Sequence, residues 1–195
     1  MKRIIFATNN QHKVDEIRAV TGNRFAIVTM KEAGIDLDIP EPHETLQENA
    51  IEKALTINRL TGENVFSEDT GLEVTALNGE PGVHSARYAG DGRDFHANVV
   101  KLLKNLQGCK DRRARFRTVI CLIWNGTQHL FEGICEGQIT TEERGEGGFG
   151  YDPVFIPDGD SRSFAEMTTD EKNRYSHRAK ATARLVHFLA AQPAG

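Results

Sequence analysis

The chain has 195 residues, 38% of them hydrophobic and 27% charged, with a net charge of −4. That is enough for one sizeable core or two lobes of a single domain over 1–195, and the acidic balance excludes a broad basic field for duplex nucleic acid. Three cysteines without CxxC spacing argue against a disulfide framework or structural zinc and for a reducing, cytoplasmic setting; no apolar run reaches membrane-span length, and the N-terminal one is too short for a signal peptide.

In chain order, residues 3–7 read as a buried strand, followed by a helix over about 12–21 and a second strand at 24–29. Residues 34–44 hold two prolines and many acids, hence a loop. Thr45 and Glu48 form a capping-box pattern for a helix over about 46–60, with Gly62 as its stop. Residues 64–74 read as two strand-like pieces interrupted by SEDTG, and 78–92 as a glycine-rich loop. A helix over about 94–106 precedes two strand-like runs, 114–124 and 127–137, joined by Asn125-Gly126, which predicts a type I′ hairpin. A second glycine-rich loop at 144–155 leads into a strand. Thr168 with Glu171 caps a short helix, and the last helix spans about 176–192. Mixed helices and strands with one long hairpin imply an α/β fold with a mixed sheet.

Five stretches carry chemistry. At 8–13, TNNQHK turns a strand into a helix. A helix start favours anions, Asn9 and Asn10 tolerate left-handed backbone, Thr8 and Asn10 bring hydrogen bonds, and Lys13 brings charge. The alternatives are a phosphate cradle and a polar loop with a solvated lysine; the Walker pattern is absent. Glu41, Glu44, Glu68 and Asp69 are hard oxygen donors of the kind Mg²⁺ uses, with Glu68 and Asp69 expected to project from a strand end; the alternative is a solvated turn. Asn49 and Lys53 share a helix face, where Lys53 either meets phosphate or snorkels to solvent. In GGFGYDP (147–153), glycines admit a ligand, Phe149 offers a stacking face and Asp152 an acceptor, or the run is merely a tight turn. Lys172, with His177 and Arg178 in the first turn after Ser176, places cations where the helix dipole disfavours them. Arg113, Arg115 and Arg117 share one strand face and read as a solvated face or an interface.

Together and in this order, TNNQHK (8–13), ENAIEKA (48–54), SEDTGLEV (67–74), EPGVHSARYAG (80–90), GGFGYDPVF (147–155), EK (171–172) and SHR (176–178) resemble the inosine/xanthosine triphosphate pyrophosphatase family of house-cleaning nucleotide hydrolases. The resemblance implies Mg²⁺-dependent cleavage of ITP, dITP and XTP between the α and β phosphates. It also implies an elongated mixed sheet flanked by helices, two lobes with a central cleft, and a homodimer; the charge balance and the lack of a long apolar run argue against a nucleic-acid or membrane partner. By position, Thr8, Asn9, Asn10, Gln11, His12 and Lys13 hold the triphosphate with Lys53 nearby. Asp69 is metal ligand and proton acceptor, Thr70 touches substrate, and Phe149, Gly150, Tyr151 and Asp152 close over the base. Lys172 holds the nucleotide, and His177 with Arg178 reads the 6-oxo edge. Asn9 stands where the family often has Gly, and Glu68-Asp69-Thr70-Gly71 where it often has Asp-Asp-Ser-Gly. The second metal carboxylate is Glu41 or Glu44, with Glu41 favoured because it follows Ile39-Pro40. The rival readings are a related pyrophosphatase for other modified nucleotides and a nucleotide-binding regulator without turnover.

Overall fold

The computed structural model describes residues 3–192, with the Arg24 side chain excepted; residues 1, 2 and 193–195 of the expected domain lie outside the described residues. The strands are β1 (Arg3–Phe6), β2 (Ala26–Thr29), β3 (Val65–Val74), β4 (Pro81–Gly82), β5 (Arg113–Trp124), β6 (Thr127–Ile139) and β7 (Phe155–Pro157). The helices are α1 (Gln11–Thr21), α2 (Leu46–Thr61), α3 (Phe95–Asn105), α4 (Thr169–Asn173) and α5 (His177–Ala190). The strand order is β2-β1-β3-β5-β6-β7, with β4 on β3. β1 pairs parallel with β2 and β3, while β4 on β3 and β7 on β6 are antiparallel, so the sheet is mixed as expected. None of the helices among the described residues is long and apolar enough to cross a membrane.

The chain divides into two compact units, the first 1–69, 118–133 and 178–195, the second 70–117 and 134–177. In the first unit, period-2 alternation builds a three-layer sandwich. Ile4 and Phe6 of β1 and Phe66 of β3 join Val14 and Ile17 of α1 and Ala181, Leu185 and Leu189 of α5. The intervening residues, Ile5 and Val65, face the other way and join Ile57 of α2. In the second unit a single cluster gathers Leu72 and Val74 of β3, Phe116 of β5, Ile139 of β6, Phe155 of β7 and Leu102 of α3 around Phe164.

Several local signals hold in the fold. Asn125 (φ 49°) and Gly126 (φ 78°) both take the left-handed backbone a type I′ turn demands. Gly62 ends α2 at φ 69°, its N–H on the Asn58 carbonyl. Thr168 and Glu171 form a reciprocal capping box on α4.

Three local expectations are corrected. Residues 65–74 form one continuous strand and not two pieces, so Glu68 and Asp69 lie mid-strand. Gly71 permits this because the Gly82 backbone of β4 approaches so closely that a Cβ there would lie 2.6 Å from its carbonyl oxygen. Neither Asn9 nor Asn10 is left-handed: the non-glycine residues with positive φ among those described are Asn78, Arg93 and Asn125, and Asn10 is extended (φ −89°, ψ 106°) as befits an N-cap. The Thr45 box is half-formed: Thr45 caps the Glu48 N–H, but Glu48 takes the Thr45 hydroxyl, 2.7 Å away.

Candidate active site

Consecutive side chains of a strand point to opposite faces, and this separates the two acids of SEDTG. In the first unit Glu68 follows Phe66 toward α1 and α5, while Asp69 follows Val65 and Ser67 toward α2. Each acid makes its own ion pairs.

On the α1/α5 face, Glu68 is fully buried and accepts from Lys13 Nζ at 2.6 Å and from Arg178 Nε at 2.7 Å. A second guanidinium nitrogen of Arg178, Nη1, donates to Glu16. Burial pushes the Glu68 carboxyl up, but Arg178 and Lys13 outweigh it and hold it far below the usual carboxylate range. Burial likewise opposes the Arg178 charge, and Glu68 and Glu16 overcome it. Arg178 thus sits in the first turn of α5 despite the dipole because two carboxylates compensate it. Glu16 was not anticipated. Its signal was an acid between Val14 and Ile17 on the buried side of α1, three residues after Lys13.

On the α2 face, Lys53 bridges Glu41 and Asp69, with Asp69 Oδ1 3.1 Å from its ammonium. Burial raises the Asp69 carboxyl, and Glu41 adds to that rise, while Lys53 and Lys13 pull it down without cancelling it. Burial pushes the Lys53 ammonium down, but Asp69 and Glu41 more than restore it. Two buried polar residues set this register. The Ser67 hydroxyl donates to the Ala50 carbonyl, tying β3 to α2 one turn before Lys53. Asn49 accepts from the His43 N–H (2.9 Å) and donates to its carbonyl (3.1 Å), clasping the acidic loop to the same helix. Of the two candidate acids in that loop, Glu41 reaches Lys53 and Glu44 is exposed.

The strand-to-helix corner is organised by its own side chains. The Asn10 carboxamide accepts from the N–H groups of His12 and Lys13, and Thr8 Oγ1 accepts from the Asn10 N–H. Asn9 donates to the Leu37 carbonyl, and Gln11 to Asp15. His12 is exposed, and Lys13 is the corner residue drawn to Glu68.

The second unit gathers the other candidates. Asp152, 3% exposed, accepts from the Phe149 N–H (2.9 Å) and from Lys172 Nζ (2.6 Å). The Lys172 ammonium lies 5.1 Å from the Phe149 ring centre and 5.3 Å from that of Phe164, in cation–π range. Gly148 (φ 70°) makes room: a Cβ there would lie 2.2 Å from Asp152 Oδ2. His177 stacks on Phe116 at 4.5 Å and 14°. Tyr151 turns its ring into the core and its hydroxyl to the Ser85 carbonyl at 2.7 Å. Gly150 takes φ 63°, and Thr70, half-buried, opens the second unit's share of β3. Arg115 of the arginine strand face pairs with Glu73 at 2.6 Å.

The sequence profile of the Ham1 family matches residues 4–188. The dITP/XTP pyrophosphatase of Porphyromonas gingivalis is 53% identical over 190 residues, covering 97% of this chain and 98% of that protein. The dITP/XTP pyrophosphatase of Christiangramia forsetii is 45% identical over 188 residues, covering 96% and 99%. The solved structure of the Staphylococcus aureus Ham1 protein superimposes with a TM-score of 0.89 at 37% identity, covering 98% of this chain and 100% of that one.

Proposed function

This chain belongs to the Ham1 family, and from that premise we propose that it is a dITP/XTP pyrophosphatase acting as a single domain over 1–195, with ITP as a further substrate. The observation that carries the reading is the pair of ammonium–carboxylate clusters on the buried acids of β3, Lys13 on Glu68 and Lys53 between Glu41 and Asp69. Buried charges persist where they are paired, and two lysines beside the Thr8–Lys13 helix start and the β3 acids supply the positive charge a polyphosphate needs.

The corner Thr8–Lys13, with Asn9, Asn10, Gln11 and His12, lies along the triphosphate. Water oxygen attacks the α-phosphorus, the bond to the α–β bridging oxygen breaks, and pyrophosphate leaves with that oxygen. Asp69 accepts the water proton; burial raises its carboxyl, which brings a carboxylate nearer to a useful base. Lys13 and Lys53 stabilise charge on the departing pyrophosphate. Thr70 contacts substrate. Phe149 stacks on the base, and Gly150, Tyr151, Asp152 and Lys172 frame it. His177 and Arg178 donate to the 6-oxo group. Adenine presents an amino donor at that position, and an unmet buried donor costs about 1–3 kcal/mol.

The acids Asp69 and Glu41 converge on one cation, the Lys53 ammonium, so their oxygens suit a second. Two carboxylates are what Mg²⁺ commonly takes from protein, its shell being completed by water and substrate phosphates; among the described residues no group of three or more His, Cys, Asp or Glu side chains forms a metal cage. Held by Asp69 and Glu41, Mg²⁺ would supply charge neutralisation and a more acidic water. The working form is a cytoplasmic homodimer.

The test is product analysis with ITP, XTP, GTP and ATP in the presence of Mg²⁺. The expected products from ITP and XTP are the monophosphate and pyrophosphate, with ATP far slower. Orthophosphate as the first product, or ITP bound and recovered intact, would sink the proposal.

A further inference from the structure

Phe95 is the first residue of α3 and, among the described residues, the one exposed aromatic side chain of Phe, Tyr and Trp type. At 38% exposure it is poorly used as core. Its ring nevertheless has a defined neighbour: the Phe149 ring, with centroids 6.0 Å apart at 49°, a tilted geometry that aromatic pairs prefer.

The setting makes that contact matter. Phe149 stands between Gly148 and Gly150, both with positive φ, so its own loop offers no flanking side chain to fix the ring. Its backbone N–H is tied to Asp152, and the Lys172 ammonium lies 5.1 Å from the ring centre. Phe95 supplies the side wall. The start of α3 is itself held by two further contacts: Asp94 caps it through the Ala97 N–H at 3.0 Å, and His96 Nδ1 lies 3.2 Å from Glu143 of the segment leading into the glycine-rich loop.

We propose that Phe95 is a positioning residue for base recognition: by packing on Phe149 it sets the ring plane on which the purine of the substrate stacks. This rests on the assignment of Phe149 to the base, and the test separates the two. In Phe95→Ala, KM for ITP should rise about three- to ten-fold, the scale of one lost aromatic pair, with kcat within about two-fold. Inhibition by tripolyphosphate, which carries no base, should be unchanged. Phe95→Tyr should restore KM. The reference variant is Phe149→Ala, and adding Phe95→Ala to it should raise KM no further. If Phe149→Ala raises KM and Phe95→Ala does not, the positioning role is wrong and the base assignment stands. If Phe149→Ala leaves KM unchanged, the base assignment itself is wrong. If Phe95→Ala weakens tripolyphosphate as much as ITP, the residue acts on the fold at large and the proposal is overturned.

Discussion

Glu68 and Asp69 are neighbours in sequence, yet replacing each by its amide should have unequal consequences for stability. Glu68→Gln keeps the volume but leaves Lys13 and Arg178, both within 2.7 Å of the carboxylate, facing a neutral group. Breaking a buried pair by removing one partner costs about 3–5 kcal/mol. Arg178 retains Glu16, and the Lys13 side chain is 17% exposed, so the loss should fall at the low end, about 3 kcal/mol. For a chain of this length, that lowers Tm by about 6–12 °C. Asp69→Asn removes a carboxylate that burial already disfavours, while Lys53 retains Glu41. Its Tm should stay within about 3 °C of the parent, and turnover should vanish. The pH dependence has opposite signs. Glu68, held low, contributes stability above its ordinary value of 4.5 that is lost as pH falls, so the gap between Glu68→Gln and parent should narrow in acid. Asp69, held high, binds its proton more tightly when folded, so its contribution to stability falls as pH rises through its raised value. The assay is thermal unfolding by circular dichroism without divalent ions at neutral and acid pH. Equal losses of Tm in the two variants would refute the assignment of the two acids to separate faces and separate roles.

Two more outcomes are expected. Gly148→Ala drives a methyl into Asp152 and should lower kcat/KM for ITP at least about ten-fold, whereas Gly150→Ala, with open space around its Cβ, should lose only the backbone strain of about 1–2 kcal/mol; steady-state kinetics with melting curves distinguishes them. Glu171 is held down to about 2 by the Thr168 N–H and by Arg162, so its contribution to stability is present above its ordinary value of 4.5 and lost as pH falls toward 2; Glu171→Gln should show a shallower acid limb in urea unfolding.

How much of this was legible beforehand depended on how local the physics is. The hairpin turn at Asn125-Gly126 and the capping box at Thr168 hold because a few adjacent residues decide them. The Asn10 corner was legible as a polar strand-to-helix turn, but its geometry was not, because capping His12 and Lys13 requires extended rather than left-handed backbone. The broken strand predicted at SEDTG failed for a longer-range reason. A run of acid, acid, hydroxyl and glycine looks like a bend until the cations and the Gly82 backbone that satisfy it are brought alongside.

The chain order of residues alone determined the α/β class, the helix and turn boundaries to within a few positions, and the set of charged and aromatic groups available for chemistry. Folding decided which charge meets which. Glu68 and Asp69 differ by one position, so the pleat sends one toward Lys13, Arg178 and Glu16 and the other toward Lys53 and Glu41. Pairings across up to 162 positions, as between Glu16 and Arg178, leave no periodic trace in the sequence, because they are selected by burial and Coulomb energy only after the sheet and helices have packed.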